Sequence, residues 1–407
     1  MNRKYFPVFI TVFNLLLPVS LGAYDFGLIL NQYAGIGNHP AFEYQADILP
    51  RFSFLAGDSG DVFLSAGITL GISDEFYYVP ELLRSDFFWR SGNLGFRAGR
   101  MQYADPSGLV ASGLFDGIRL THNSKEGSVG LGAWYTGFLY KKNANITMNA
   151  LDRSSYDAPL NYNDFSKTYF APRRLLAALD WEHPSVAERL HLSIALAAQI
   201  DLSGEDERYH SQYLVLKAVL PSTLPVMNLT FEFSGSLEVA EKQNSGEDEF
   251  KIAFAADLGA FWMLPTSFNS RLALTGRYAS GETKGAIGAY IPLTNKFYGS
   301  IIKAKLPGIT VLNLDYTARL AQPYAANLNI SYFVRNDLGT YTSYPVNTQD
   351  NSGHFLGTEF FALFIWSLFS DIQINLGAGA FLPSLGNANP KGDLQWRAEL
   401  SAIFALY

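Results

Sequence analysis

Apolar and polar side chains alternate along most of this chain, in segments of roughly a dozen residues. Alternation places every second side chain on one face of a sheet. Strands in soluble proteins are typically about 5–6 residues long, whereas a strand that crosses a bilayer at about 45° needs roughly 9–11. The segment lengths therefore favour membrane-spanning strands. One such segment has the apolar set Leu229, Phe231, Phe233 and Leu237 against the interleaved set Thr230, Glu232, Ser234 and Glu238.

Membrane-spanning helices are excluded by the length of the apolar runs. The longest run beyond the first residues, Phe360 to Phe369, is about half of the roughly 20 residues that a spanning helix needs. In lipid only helices and closed barrels satisfy all backbone groups. A secreted sandwich or propeller is the soluble alternative, but propellers carry an internal repeat and none is visible. The alternation therefore predicts a membrane barrel.

The connections between these segments alternate between short and long, as in outer-membrane barrels with short periplasmic turns and longer extracellular loops. We predict a single antiparallel all-β transmembrane barrel of about 18–20 strands over residues 24–407. The strand pair 283–293 and 297–306 is the weakest, and the alternative that it is one folded-over hairpin gives about eighteen strands. Short breaks include Gly57–Gly60, Ser91–Asn93, Asn123–Gly127 and Gln322-Pro323, and long ones include Ser73–Glu81, Ala104–Gly113, Lys141–Pro172, Glu241–Glu249 and Pro383–Asp393.

Residues 1–23 have the organisation of a secretory signal peptide. Arg3 and Lys4 precede an apolar core, and Ala23 offers a small residue for cleavage. Removing this segment changes the formal charge from −7 to −9, because only two charged residues, both basic, are lost. We therefore expect Sec-type export and a location in the cell outer membrane.

The last segment, residues 394–407, is amphipathic and ends in an aromatic residue, Tyr407. It resembles the C-terminal assembly signal of bacterial outer-membrane proteins. The resemblance implies that the barrel-assembly machinery is a partner, besides outer-membrane lipid.

If the apolar set faces lipid, the charged side chains of the interleaved set line the interior. An Arg or Lys that faces lipid at the midplane costs about 2–4 kcal/mol, so the polar set must face water. The alternation predicts a water-filled porin channel for passive diffusion of small hydrophilic solutes. The predicted pore-lining residues are Glu43, Asp47, Arg51, Arg84, Arg90, Arg97, Arg119, Arg189, Glu232, Asp257, Arg271, Arg277, Asp315, Arg319 and Arg335.

Two features of this interior have alternative interpretations. Arg84, Arg90, Arg97, Arg100 and Arg119 lie on neighbouring strands, and such an arginine wall either filters charge or braces the barrel. The polar segment 141–172 either folds into the pore as a constriction or caps it from outside. A slight preference for anions is the selectivity hypothesis, and the negative net charge opposes it.

One local pattern is similar to a known family. Phe96-Arg97-Ala98-Gly99-Arg100 is followed by Phe115-Asp116-Gly117-Ile118-Arg119-Leu120, a strand, loop and strand that resemble the alginate-export-like outer-membrane porins. The resemblance implies an eighteen-stranded channel with an arginine-lined lumen.

Enzymatic and cofactor chemistry is not indicated. The chain has no cysteine, and its six histidines form no metal-binding motif, so we expect no cofactor and no metal. His122-Asn123-Ser124 resembles the residues of an outer-membrane phospholipase, but turn residues explain the run equally well. The acidic chain argues against nucleic acid. A surface adhesin barrel and a transporter of a specific anionic or hydrophobic substrate remain alternatives, and a homo-oligomer stays open.

Overall fold

The structure is a computed structural model that describes residues 24–38, 40–73, 75–204, 207–221, 228–244, 247–283, 287–339 and 353–406. In this part of the chain, eighteen antiparallel strands form one closed sheet. The barrel strands are β1 (Tyr24–Gly37), β2 (Phe42–Leu55), β3 (Gly60–Ile72), β4 (Phe76–Ser91), β5 (Leu94–Ala104), β6 (Ser112–Ser124), β7 (Gly127–Tyr135), β8 (Arg174–Val186), β9 (Leu190–Asp201), β10 (Arg208–Leu220), β11 (Leu229–Asn244), β12 (Glu247–Met263) and β13 (Arg271–Ala279), followed, after the two short strands β14 (Phe297–Tyr298) and β15 (Ala304–Lys305), by β16 (Ile309–Ala321), β17 (Tyr324–Arg335), β18 (Phe355–Phe369), β19 (Ile372–Leu382) and β20 (Gln395–Leu406).

Helical structure is confined to the connections. The helices are α1 (Lys141–Ala144), α2 (Ala150–Asp157) and α3 (Phe165–Thr168), with 3-10 turns at Tyr162–Asp164 and Pro383–Leu385. Among the described residues, no helix has the length and apolar character to cross a membrane. The predicted signal peptide, residues 1–23, lies outside the described residues.

The barrel closes between its first and last strands. β20 pairs with β19 on one side and with β1 on the other, in a register that runs from Leu28 opposite Leu406 to Gly37 opposite Arg397. Closure removes both sheet edges, so the backbone groups of β1 and β20 are paired on both sides. The predicted all-β barrel is confirmed, and the strand number is eighteen.

Both termini of the barrel lie at the end that carries the tight turns, and the longer connections gather at the other end. Three of the longer connections shape the interior: L3 (residues 105–111), L4 (residues 136–173) and L7 (residues 280–308). As barrel wall, the predicted strand pair 283–293 and 297–306 is wrong. Its described residues, 283, 287–293 and 297–306, belong to L7, and the strands they form are β14 and β15. Two of the predicted long connections, Ser73–Glu81 and Glu241–Glu249, are shorter in the structure than the sequence indicated. β4 already begins at Phe76, and only residues 245–246 separate β11 from β12.

The two faces of the strands differ in chemistry as the alternation predicts. On β12, β13 and β16 the outward side chains Leu258, Leu274 and Leu312 are 51–60% exposed. The interleaved side chains on these strands point inward and meet one another, as the contact between Arg277 and Asp257 illustrates. An apolar outer surface around a polar interior is the arrangement that a spanning barrel needs.

At one glycine on the inner face, an ion pair crosses the strand that lies between its two partners. Arg119 on β6 and Asp180 on β8 are joined at 2.7 Å across the intervening strand β7. A Cβ at Gly130 on β7 would lie 2.6 Å from the Arg119 Nη2 atom and 2.6 Å from the Asp180 Oδ2 atom. A larger residue at this position would displace the two charged groups from their present contact.

The opposite faces of β16 give a direct test of this orientation. Leu314 faces outward and its neighbour Asn313 faces the interior at nearly the same depth. We expect L314R to lower the free energy of unfolding in phospholipid vesicles by about 2–4 kcal/mol, because the guanidinium would face lipid. The matched control N313R, measured by the same denaturant titration, should lose clearly less. Equal losses for the two variants would contradict the assigned faces.

Candidate functional site

L3, L4 and L7 fold into the barrel and contact one another there. The Tyr290 hydroxyl of L7 donates to the Leu109 carbonyl of L3 at 3.2 Å. Between L4 and L7, the Asn145 side-chain amide donates to the Asn295 carbonyl at 2.7 Å, and the Asn295 backbone N–H donates to the Asn145 carbonyl at 3.0 Å. Tyr290 is fully buried, so the three loops form a packed constriction.

L4 is held inside the barrel by a buried arginine at the start of β8. The guanidinium of Arg174 is completely buried and lies 2.6 Å from Asp152 of α2 and 2.8 Å from Asp201 of β9. Asn149 and Asp152 also cap α2 reciprocally. The ion pair between Arg174 and Asp152 fixes α2 to the wall, because removing the arginine would leave two buried carboxylates without an opposite charge. Of the two interpretations of segment 141–172, the structure supports the constriction.

L4 also covers a place where the wall is incomplete. β4 pairs with β5 only from Ser85 to Ser91, so one edge of its first half is free of strand partners. Pro80 has no N–H to donate along that edge. L4 supplies the partners: the Tyr169 hydroxyl donates to the Pro80 carbonyl at 2.7 Å, and the Tyr162 hydroxyl donates to the Tyr78 carbonyl at 2.9 Å.

L7 is anchored by two buried carboxylates of the wall. Glu359 on β18 accepts hydrogen bonds from the backbone N–H groups of Ser300 (2.6 Å), Ile301 (3.1 Å) and Ile302 (3.0 Å). Glu238 on β11 accepts one from the Ile291 N–H at 2.8 Å. Glu359 therefore holds three consecutive backbone N–H groups of L7 at once.

The loops divide the interior into an outer and an inner cavity. The outer cavity, of about 1010 Å³, opens at the loop end between α2, L7 and the upper parts of β11 and β12. The inner cavity, of about 470 Å³, lies below β14 against β13, β16, β17 and β18. Phe297 of β14 lines both cavities, and Arg397 and Glu399 of β20 line the outer and the inner one respectively. Phe297 therefore lies where the two cavities adjoin.

The outer cavity carries more positive than negative side chains. Its described lining includes six basic and four acidic residues, a difference of two positive charges, namely Arg153, Lys242, Lys251, Lys303, Lys305 and Arg397 against Asp157, Glu207, Glu249 and Glu282.

One aromatic ring joins L4 to L7 through two of the loop lysines. The Lys142 Nζ atom lies 4.1 Å and the Lys305 Nζ atom 5.1 Å from the centre of the Tyr156 ring. Burial lowers the pKa of both lysines below the usual 10.5; Asp157 opposes this shift for both, while Arg153 adds to it for Lys305. Their positive charge is therefore lost at a lower pH than that of a solvated lysine.

Most of the predicted pore-lining residues face the interior and have a charged or polar partner. Arg84 and Arg97 both contact Asp86, the latter at 2.8 Å, beside a cavity of about 300 Å³. The other contacts are Glu43 with Arg397 (2.6 Å), Asp47 with Thr69 (2.8 Å), Arg119 with Asp180 (2.7 Å), Glu232 with Lys217 (2.8 Å), Arg271 with Asp315 (3.7 Å), and Asp257 with Arg277.

The remaining predicted residues have other surroundings. The side chain of Arg51 lies over Gly27, and Arg335 is buried and donates to the Gly353 carbonyl at 2.6 Å. Arg90 and Arg319 are exposed near the turn end of their strands. For Arg189 the prediction of a strand position is wrong, because this exposed residue lies in the turn between β8 and β9, where the alternation no longer assigns a face.

The arginine wall favours the bracing interpretation. Arg100 contacts Asp116 at 2.7 Å and also donates to the carbonyls of Leu82 (2.6 Å) and Phe138 (2.9 Å). Together with the pairs of Arg84, Arg97 and Arg119, this contact ties neighbouring strands and L4 to one another.

Sequence reasoning missed the anchors Glu238 and Glu359 and the constriction residue Phe297. Glu238 belongs to the inward set of an alternating segment, so its face was visible in the sequence, but its loop partner was not. Phe297 lies in the segment that was predicted as wall. A carboxylate in the middle of an apolar, aromatic strand, such as Glu359 beside Phe360 and Phe361, was the one signal available.

The His122-Asn123-Ser124 run has a structural role in the turn after β6. The Ser124 hydroxyl donates to the Gly127 carbonyl at 3.0 Å and accepts from the Glu126 N–H at 3.2 Å. These contacts agree with the turn interpretation. Within the described residues, no group of three or more acidic or histidine side chains is arranged to hold a metal ion.

No protein-family model matches the chain, and no curated protein sequence matches it either. Solved structures of Pseudomonas aeruginosa proteins share its fold. OccK11 (OpdR) has a TM-score of 0.59 at 14% identity over 94% of this chain and 96% of that chain. OccK2 (OpdF), solved in complex with glucuronate, has a TM-score of 0.61 at 11% identity over 94% and 98%.

The outer membrane protein OprD has a TM-score of 0.57 at 15% identity, with 94% of each chain covered. At these identities the similarity establishes the fold alone, a large closed β-barrel. The comparisons do not support the finer resemblance to the alginate-export-like porins.

Removing the Glu359 carboxylate should release L7. In E359A the backbone N–H groups of Ser300, Ile301 and Ile302 lose the acceptor that they have in the wild type. Each unsatisfied buried group costs about 1–3 kcal/mol of stability. We expect hydrogen exchange at Ser300, Ile301 and Ile302 to become at least about tenfold faster, measured by mass spectrometry on the detergent-solubilised barrel.

The matched control is E232A, which removes an inward carboxylate that pairs with Lys217 instead of holding a loop. Exchange in L7 should stay unchanged in this control. Unchanged exchange in E359A would show that the carboxylate does not anchor the loop.

Proposed function

We propose that this protein is a channel of the bacterial outer membrane through which small hydrophilic solutes diffuse passively. The observation that carries the proposal is a closed barrel with an apolar outer face and a polar interior, in which two cavities meet at Phe297. Barrels of this strand number enclose an aqueous lumen. The predicted signal peptide agrees with export to the envelope.

The constriction favours a selective channel over a wide pore. L3, L4 and L7 pack against one another and narrow the lumen to the cavities beside Phe297. OccK2 (OpdF), which shares the fold, has been solved with glucuronate, a small hydrophilic solute. A narrowed, polar lumen admits solutes by size and by hydrogen-bonding capacity, and this property fits the proposed class of cargo.

A weak preference for anions is the second part of the proposal. The outer cavity has a difference of two positive charges in its described lining, although the whole chain is negative. A solute that enters from the loop end meets this local field first, and narrow, low-dielectric walls focus it.

The C-terminal strand supports the proposed assembly route. β20 forms the seam of the barrel with β1, so its insertion completes closure. We propose that residues 394–407 engage the barrel-assembly machinery, as their resemblance to the C-terminal assembly signal implies.

Conductance in planar lipid bilayers tests the channel. We expect the purified protein to produce stable single-channel currents in potassium chloride, and F297A to raise the conductance because the side chain between the two cavities becomes smaller. F268A, which alters an exposed aromatic residue in the turn between β12 and β13, is the control and should leave the conductance unchanged. Absence of current from correctly folded wild-type protein would refute the channel.

The selectivity should depend on pH through Lys142 and Lys305. Because burial lowers the pKa of both lysines, their charge is present at neutral pH and is lost as the pH rises through the lowered values, below the usual 10.5. We expect the reversal potential in a salt gradient to indicate anion preference at neutral pH and a weaker preference at alkaline pH. The control is the double variant K142R/K305R, whose charges persist and whose alkaline shift should be smaller. Cation preference at neutral pH would overturn the anion hypothesis.

A further inference from the structure

The inner cavity has a lining that differs from the charged lining above it. Side-chain amides and hydroxyls dominate one wall, and aromatic rings stand above and beside them. The polar residues that line it are Thr275, Ser300, Asn313, Asn327, Asn329 and Ser331, and the aromatic ones are Phe297, Tyr298 and Phe361.

The amides are held in a fixed arrangement by hydrogen bonds to one another. The Asn313 amide donates to the Asn329 oxygen at 2.9 Å and to the Ser331 hydroxyl at 2.8 Å, and that hydroxyl donates to the Asn329 oxygen at 2.9 Å. Each primary amide offers two donor hydrogens and an acceptor oxygen with two lone pairs. The network leaves further donor and acceptor positions on the same groups, already oriented, for a solute.

Phe297 provides an apolar surface above this polar wall. Its ring is 45% exposed although it lies inside the barrel. An exposed aromatic ring next to convergent hydrogen-bonding groups is typical of sites for small amphipathic ligands. The volume of about 470 Å³ is within the range of roughly 300–1,000 Å³ for such sites.

The charged groups that border the cavity are compensated. Arg277 contacts Asp257, and Glu399 lies 3.5 Å from the Arg397 guanidinium and accepts a hydrogen bond from Tyr33 at 3.1 Å. Because each charge has an opposite partner, a charged solute gains little net attraction here. A neutral solute with many hydroxyl groups gains the full set of oriented amides.

From these observations we propose that the inner cavity is a binding site for a neutral saccharide of one or two rings. The hydroxyl groups of the sugar bond to Asn313, Asn329 and Thr275, and the C–H face of the sugar ring packs on Phe297. This inference rests on the proposed function, since a site in the lumen selects solutes only if the lumen conducts them. It adds the class of solute that the lower part of the channel recognises.

Block of the ion current by matched sugars tests the site. Glucose and glucuronate share a ring and differ in one carboxylate, so they separate hydrogen bonding from charge. We expect glucose to reduce the wild-type current through the bilayer in a concentration-dependent manner. In N329L the half-blocking concentration should rise by about tenfold, because the substitution removes oriented hydrogen-bonding groups from the site. T275V, which removes one hydroxyl at constant shape, should give a smaller rise in the same direction.

N375L is the matched control for these variants. Asn375 also lies on an inner face and donates to the Ser401 hydroxyl at 3.0 Å, but it belongs to β19, outside the described lining of the cavity. Its block by glucose should equal that of the wild type. The folded state of each variant is checked by its heat-modifiable migration on gels.

Two outcomes would overturn the saccharide site while leaving the channel intact: normal salt conductance without block by glucose, whether or not glucuronate blocks, and block by glucose that N329L leaves unchanged. If the folded wild-type protein carried no current, the proposed function would fail instead. Binding of glucose to the detergent-solubilised protein would then be measured by calorimetry. Heat that is lost in N329L would support the site, and no heat with the wild type would refute it.

Discussion

The pairing of backbone groups is the constraint on which the rest of this structure depends. Where a strand faces lipid, each N–H and C=O must find a partner within the protein. The chain meets this requirement by pairing β1 with β20, and L4 supplies hydrogen-bond partners along the part of β4 that has no strand beside it. Closure then gives each strand one face toward the outside and one toward the interior, and the alternating pattern of side chains follows this geometry.

The charged groups that point into the interior compensate one another across strands. The pair of Arg119 and Asp180 passes over Gly130, and Arg174 lies between Asp152 and Asp201. Some of these contacts do more than neutralise charge, because they position loops. Carboxylates of the wall bind L7, and Arg174 fixes L4. Contacts of buried ionisable side chains therefore both stabilise the wall and hold the loops of the constriction.

Much of the wall could be predicted from the amino-acid order alone, and the constriction could not. Inward positions such as Glu43 and Asp257 follow from a period of two, which is a local property. Arg189 was assigned wrongly because it lies in a turn, where this period ends. The segments 283–293 and 297–306 were assigned to a strand pair because of their β-type composition, which a packed loop shares. Their position depends on Glu359, which lies more than fifty residues further along the chain.

The order of residues by itself determined the class of fold, the two faces of the strands and the ends at which turns and loops gather, because alternation and turn chemistry act over a few neighbouring residues. The tertiary structure alone decided that three loops meet inside the barrel, that L4 completes the wall beside Pro80, and that two cavities adjoin at Phe297. These features arise from contacts between residues that are distant in the chain, and only closure of the barrel brings such residues together.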